Sequence, residues 1–250
     1  MESPGAELFL LIAAPFIGSF LGVVIERLPA RRPLLIARSR CDHCGATLGV
    51  RDLVPLVSWV ASRARCRHCG AALRWFFPLV ELAALGVAVW AVLAVPAWLI
   101  WPTAGFGWTL LALAWIDQRS FLLPDALTLP LAPAGLLVVW LIGSVPVIDH
   151  VIGAIVGFLA LTAVAHLYRA VRRRDGLGGG DAKLFAAIGA WVGWQGLPTV
   201  ILYAAASGLL WVLARQALGR PAELTARLPF GPHLCLAGWL VWLYGPLLAG

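Results

Sequence analysis

Apolar residues run along this chain in long blocks, not in the one-face spacing of a surface helix or the alternation of a half-buried strand. A helix needs about 20 apolar residues to cross about 30 Å of hydrocarbon. About eight blocks meet or approach that length: Leu8 to Ile25, Phe77 to Val95, Ala97 to Ile116, Ala126 to Ser144, Ile148 to Tyr168, Ala182 to Trp194, Leu197 to Leu213 and Phe230 to Leu248. The sixth, at 13 residues, reaches only about 20 Å at 1.5 Å per residue, so it should either tilt in a thinned bilayer or span incompletely. The pattern predicts an all-α polytopic membrane protein of about eight transmembrane helices, interrupted by one long polar segment, Arg27 to Trp75. Three parts follow: a first transmembrane helix over 1–25, a polar loop domain over 26–76, and a transmembrane portion over 77–250. No internal repeat or low-complexity tract is evident.

Composition removes the soluble alternative. Of 250 residues, 61% are hydrophobic and 12% charged, with mean hydropathy +0.89, against about 25% charged in soluble domains. The net charge of +7 on so apolar a chain suits anionic lipid headgroups better than nucleic acid, which is not expected as a partner. Basic residues favour cytoplasmic loops. All 19 fall in four segments: ten Arg in Arg27 to Arg74, then Arg119, then five in Arg169 to Lys183, then Arg215, Arg220 and Arg227. With eight spans these are alternate connections on one face, while the turns near Pro96, Pro146 and Gly196 carry no Lys or Arg. Both termini then lie outside, and dropping the sixth span would strand the last basic loop on the wrong side. Met1 to Glu7 has two Glu and no Lys or Arg, so the first block reads as a retained anchor instead of a cleaved leader.

The polar loop contains Cys41-Asp42-His43-Cys44 and Cys66-Arg67-His68-Cys69. Two CxxC pairs 21 residues apart suit a tetrahedral zinc ribbon, with Gly45 and Gly70 relaxing the backbone after each pair. The loop has few apolar residues, so metal would supply folding free energy, about 10 to 16 kcal/mol in zinc-finger peptides. Zinc is therefore expected in a structural role on Cys41, Cys44, Cys66 and Cys69. The alternatives are two disulfides or four free thiols. His43 and His68 are expected to be solvated or to support the ligands, and Cys235 to be a small packing residue.

Acids at membrane edges are functional candidates because burying charge is costly. Asp117 ends the third block, and Asp181 closes Gly176-Leu177-Gly178-Gly179-Gly180-Asp181 at the start of the sixth. The topology brings both to the same side at similar depth and puts Asp149 on the other. Two carboxylates that approach in a dry site share a proton, one serving as base and one as acid, and such a pair can activate water against a peptide carbonyl. Gly178 and Gly180 would let the chain bend and leave room for an extended substrate beside Asp181. Simpler roles compete: a helix cap for Asp181, pairing with Arg119 for Asp117, and an N-cap for Asp125.

Taken in order, these residues resemble a known family. The set is Gly18 to Ile25 followed by Arg27-Leu28-Pro29, both CxxC pairs, Pro78-Leu79-Val80-Glu81, Ile116-Asp117 with Leu123-Pro124-Asp125, Gly178-Gly179-Gly180-Asp181-Ala182-Lys183-Leu184, and Pro229-Phe230-Gly231-Pro232. The chain resembles the type IV prepilin leader peptidases, bacterial inner-membrane aspartic proteases of the GxGD class. The resemblance implies cleavage of the basic leader of prepilins or type II secretion pseudopilins, on the cytoplasmic side, with Asp117 and Asp181 as the catalytic acids. It also implies N-methylation of the new N-terminus with S-adenosylmethionine, and zinc in the four-Cys loop. Asp125, Glu81 and Lys183 sit inside the matching motifs as substrate-binding or supporting candidates. Leu53, Gly22 and Phe77 depart from the pattern, standing where Asn, Asn and Tyr are expected. Because a +7 protein repels a basic leader, recognition should use local acids such as Glu26, Glu81, Asp125 and Asp175, although Glu81 could instead pair with Arg74. A proton-coupled transporter or membrane scaffold is the reading from another class, since paired intramembrane acids also carry protons.

Overall fold

The computed structural model describes residues 4–34, 39–173, 178–219 and 228–247. Arg38, Asp175, Gly176, Leu177, Arg220 and Arg227 thus lie outside the described residues. Eight α-helices form among the described ones: α1 (Pro4–Arg27), α2 (Val57–Ala61), α3 (Phe76–Ala94), α4 (Ile100–Ser120), α5 (Asp125–Ile142), α6 (Val147–Arg172), α7 (Gly179–Ala217) and α8 (Gly231–Tyr244). No strand forms among them; β-pairing is limited to two isolated bridges, Arg40 with Thr47 and Arg65 with Ala72. Five helices, α1, α3, α5, α6 and α7, are long and apolar enough to cross a membrane. Large apolar side chains such as Leu93, Trp140 and Leu167 face outward on them, as a lipid-facing surface requires.

The chain divides into two compact units, Met1–Ala112 and Leu113–Gly250, with the boundary inside α4. In the first, α1 packs on α3 so closely that a Cβ on Gly18 would lie 2.7 Å from Glu81 Cα. Trp108 Nε1 donates to the Ala84 carbonyl at 2.9 Å, and Phe9 meets Trp101 with ring centroids 5.6 Å apart. Gly22 lies against the Phe77 ring, where a Cβ would approach to 2.7 Å. Two departures from the family pattern are therefore one contact: the small residue makes room for the ring.

The second unit is organised by a fold in α7. Gly193 interrupts that helix with φ 73° and ψ 172°, a conformation open to glycine alone. The contacts on either side show that the two halves run back along each other. Near the bend, His150 Nδ1 donates to Ala190 O at 3.2 Å, and Trp194 and Gln195 donate to Asp149. Far from it, Ser207 meets His233 Nδ1 at 3.1 Å, while α8 begins beside Asp117. The first half runs parallel to α8, with Ile188 on Gly238 and Trp191 on Trp242. The second half runs antiparallel to it, from Gly196 beside Val241 to Ser207 beside His233. The two blocks anticipated at Ala182 to Trp194 and Leu197 to Leu213 are thus the arms of one hairpin. The break falls at Gly193 and not at the anticipated Gly196, because Gly196 keeps helical geometry while Pro198 sits in the first turn of the second arm, where its missing N–H costs nothing.

Helix α6 seals the hairpin. Gly153 and Gly189 face each other with no room for a Cβ on either, and Gly157 rides on the Phe185 carbonyl. Helix α5 lies along the first arm, where Trp191 Nε1 donates to Leu131 O at 2.8 Å. These contacts bring the C-terminal ends of α4 and α6 and the N-terminal ends of α5, α7 and α8 to one end of the unit. Arg119, Arg169, Arg172, Lys183 and Arg215 all belong to helix ends on that side, as the distribution of basic residues predicts.

Candidate active site

Asp117 occupies the last turn of α4 and Asp181 the first turn of α7, and both side chains are buried at the basic end of the second unit. Each is held by one backbone donor. Gly231 N–H, at the start of α8, donates to Asp117 Oδ2 at 3.0 Å. Gly178 N–H donates to Asp181 Oδ2 at 3.1 Å, the third helical residue reaching back to its N-cap. The anticipated capping duty of Asp181 is therefore present and occupies one oxygen. The carboxylates lie close enough for the charge of Asp117 to act on Asp181. Asp149 is at the opposite end, hydrogen-bonded to Trp194 and Gln195.

Neighbouring glycines shape this pocket sterically. A Cβ on Gly231 would lie 2.7 Å from Asp117 Oδ2, and one on Gly178 would lie 3.3 Å from Asp181 Oδ2. The space beside Gly180 is filled by the Leu123 side chain. Gly231→Ala is accordingly expected to displace the Asp117 carboxylate and, if that acid has the catalytic role the resemblance implies, to lower leader cleavage by about 10²-fold, as misplacement of a reacting group by about 1 Å can do. Initial rates on a synthetic precursor check this, and an unchanged rate would show that the close packing at Gly231 is irrelevant to the chemistry.

Asp125 is not the N-cap anticipated for it. That position belongs to Pro124, and Asp125 is the first residue of α5, where its carboxylate takes Lys183 Nζ at 2.6 and 2.9 Å. With both side chains substantially exposed, this ion pair contributes about 0 to 1 kcal/mol and serves mainly to tie α5 to α7. Glu81 likewise does not pair with Arg74. Arg74 bonds Glu26 and Asp42 at 3.0 and 3.1 Å, whereas the buried Glu81 accepts the Leu56 N–H at 2.8 Å.

In the first unit the four cysteines converge, with their sulfurs all within 4.8 Å of one another and Cys41 Sγ 3.9 Å from Cys69 Sγ. No disulfide links them. A tetrahedral zinc with Zn–S bonds of about 2.3 Å spaces its sulfurs by just under 4 Å, so the donor set fits that ion. Each pair sits on the same turn: Gly45 N–H bonds Cys41 O at 2.9 Å and Gly70 N–H bonds Cys66 O at 2.9 Å, with φ of 69° and 71° at the two glycines. The turns are a short internal repeat, against the expectation of none: Cys-Asp-His-Cys-Gly-Ala-Thr-Leu against Cys-Arg-His-Cys-Gly-Ala-Ala-Leu. N–H groups of Cys44 and then His43 aim at the Cys41 thiol and lower its pKa to about 6. At Cys69 the Ala71 N–H acts downward, but loss of solvent and the neighbouring thiols outweigh it and raise the pKa to about 11. Four thiols this close cannot all ionise without a cation among them. His43 and His68 are exposed, as anticipated for residues that are not ligands.

Residues 12–95 match the Bacterial Peptidase A24 N-terminal domain and residues 104–213 match the Type IV leader peptidase family. Over 92% of its length the chain is 39% identical to the prepilin leader peptidase/N-methyltransferase of Aeromonas salmonicida (strain A449), covering 87% of that protein. The chain belongs to the type IV leader peptidase family. Relatives of the same description include one from Aeromonas hydrophila, 40% identical with 92% and 87% of the two chains covered, and one from Dichelobacter nodosus, 36% identical with 98% and 94% covered. No solved structure matches the chain significantly. Within this family framework, the first matched segment holds the cysteine cluster and the second holds both acids.

Sequence reasoning missed one contributor. The backbone of Gly231 holds Asp117, whereas Cys235 is buried in the core, as expected of a packing residue. The signal was the Gly-Pro pair opening α8, since proline marks a first turn, whose N–H groups have no partner inside the helix and can hold an acid.

Proposed function

We propose that this protein is a prepilin leader peptidase and N-methyltransferase of the bacterial inner membrane, with its active site facing the cytoplasm. The observation that carries the reading is the pair of buried carboxylates on Asp117 and Asp181, gathered at the basic end of the second unit and each fixed through one oxygen by a glycine N–H. The other oxygen of each is left for a water. One carboxylate takes a proton from that water while the water oxygen bonds to the scissile carbonyl carbon, and the other gives its proton to the carbonyl oxygen; the first then passes its proton to the nitrogen as the C–N bond breaks and the second takes back the hydroxyl proton, releasing the new carboxyl and amine ends.

Substrates of this chemistry are prepilins or pseudopilins, cut between a basic leader and an apolar helix. The organisation carried forward is an anchor over 1–25, a zinc-holding loop over 26–76 and a peptidase portion over 77–250. Zinc on Cys41, Cys44, Cys66 and Cys69 is structural. S-adenosylmethionine is the methyl donor. Asp125 with Lys183, and Gly178 with Gly180, support the substrate side of Asp181. The positive-inside distribution favours a cytoplasmic site.

Purified full-length protein incubated with a synthetic prepilin, with and without S-adenosylmethionine, tests this directly. Mass spectrometry is expected to show loss of the leader in both reactions and one added methyl group only with the donor. Ion-dependent flux without any cleavage would replace the reading by the transporter alternative.

A further inference from the structure

Between the two cysteine turns the chain carries ten consecutive residues without a charge, Leu53 to Ser62, with Arg51 and Asp52 before them and Arg63 after. In a loop surrounded by water, the apolar side chains of such a run fold inward and the polar ones face out. Here much of that order is reversed. Helix α2 turns Ser58 and Ser62, together with Trp59, towards a cavity lined by the charged residues of the cysteine turns, and leaves Val57 and Val60 outward at 64% and 68% exposure. Three residues apart, the two valines share one face of the helix. Leu53 and Val54, just before α2, are exposed as well.

The position of this face along α3 decides which medium it meets. Leu56, at the start of α2, donates its N–H to Glu81 at 2.8 Å and holds a φ of 59° that leucine rarely takes. Glu81 lies five residues beyond Phe76, the first residue of α3, or about 7.5 Å along the helix at 1.5 Å per residue. A glutamate side chain leaning back towards the helix start covers about one turn of that, which leaves Leu56 level with the first turn of α3. With 19 residues, about 28 Å, α3 needs every turn to cross about 30 Å of hydrocarbon, so its first turn is already at the edge of the bilayer. The outward stripe of α3 also runs into α2. Trp75, Leu79 and Leu82 are exposed at helical spacing, and the Trp75 ring meets Trp59 at 4.1 Å between centroids.

We infer that Leu53 to Ala61 dips into the lipid leaflet on the basic side of the protein, so that the segment between the cysteine turns is a membrane-binding surface and not a water-exposed loop. Val57 and Val60 meet the boundary of the acyl chains, as the apolar face of an interfacial helix does. Arg51 and Arg63, exposed beyond the two ends of the run, stand where anionic headgroups lie. The inner face of α2, with Ser58 and Ser62, closes the cavity of the cysteine turns from the membrane side. The cysteine cluster is thereby held down on the lipid surface. This inference goes beyond the peptidase reading and does not depend on it.

The test uses full-length zinc-loaded protein in nanodiscs of phosphatidylglycerol and phosphatidylcholine, part of the lipid carrying a diazirine near the glycerol end of one acyl chain. Mass spectrometry after illumination is expected to find label on Val57 and Val60 at a yield similar to that on Leu79 and Leu82, while a water-soluble diazirine labels Arg51 and Arg63 and spares the valines. Joint Val57→Asp and Val60→Asp replacement is expected to lower lipid labelling of the segment by about tenfold, because a charge is costly to place among acyl chains, and to leave the label on Leu79 and Leu82 and the bound zinc unchanged. If the variant loses zinc, the wild-type labelling alone decides. Lipid label on Leu79 and Leu82 with none on Val57 and Val60, or heavy labelling of the valines from water, overturns the inference. Label on the valines from a prepilin bearing the same diazirine, with none from lipid, overturns it too and assigns the face to the substrate.

Discussion

Asp117→Ala and Asp181→Ala are each expected to leave a synthetic prepilin at full length, with cleavage lowered by about 10²- to 10⁴-fold or more, the range for losing a positioned acid or base. Both side chains are buried, and each already has one oxygen committed to a glycine N–H. In the proposed mechanism the remaining oxygens supply the base and the acid together, so either loss stops the reaction. The two variants should still accumulate in membranes, because the hairpin of α7 and its packing on α6 and α8 do not depend on either carboxylate. They should also still methylate a peptide that begins at the mature N-terminus. Electrophoresis and mass spectrometry of the product decide the matter; normal cleavage by one variant removes that residue from the pair.

Joint replacement of Cys41 and Cys44 by Ser is expected to have the second largest effect, and on a different activity. If the cluster holds zinc as proposed, removing two of four ligands abolishes tight binding, which contributes about 10 to 16 kcal/mol in small zinc domains. The loop has little else to hold it: its short helix α2 and the 3-10 turn at Val50–Asp52 bury none of their residues. Methyl transfer should therefore fall far more than leader cleavage, whose acids lie in the second unit. Elemental analysis supplies the control, and undiminished zinc in the double variant would mean that the cluster is not the metal site. Acid should release the metal from the wild-type protein as the thiolates take up protons, with methylation lost in step.

The hydrophobic blocks alone were enough for the all-helical membrane class, because length and apolar content decide whether a segment can leave water. They also placed α1, α3, α5 and α6 to within a few residues. Helix ends were less legible. The bend in α7 was anticipated at Gly196, the more obvious Gly-Leu-Pro punctuation, yet it falls at Gly193, where α6 presses on the turn through His150 and Gly153. Such a choice among nearby glycines depends on the neighbouring helix, which no local pattern encodes.

The acids show the same division. Asp117, Asp181 and the four cysteines were marked by chemistry that is rare in an apolar chain and by spacings that metal geometry and helix starts impose. The partners of Asp125, Glu81 and Arg74 were misjudged, because sequence proximity stood in for distance. Lys183 reaches Asp125 across 58 positions, and Leu56 reaches Glu81 across 25.

By itself, then, the sequence determined what is a matter of solvent and valence: which segments enter lipid, which side the basic residues keep, and which side chains can ligate a metal or trade a proton. Tertiary structure alone decided which oxygen each acid keeps free, which glycines have no room for a Cβ, and that the buried Glu81 takes the Leu56 N–H. Those outcomes depend on the close approach of helices distant along the chain, where differences of an ångström separate a hydrogen bond from a clash.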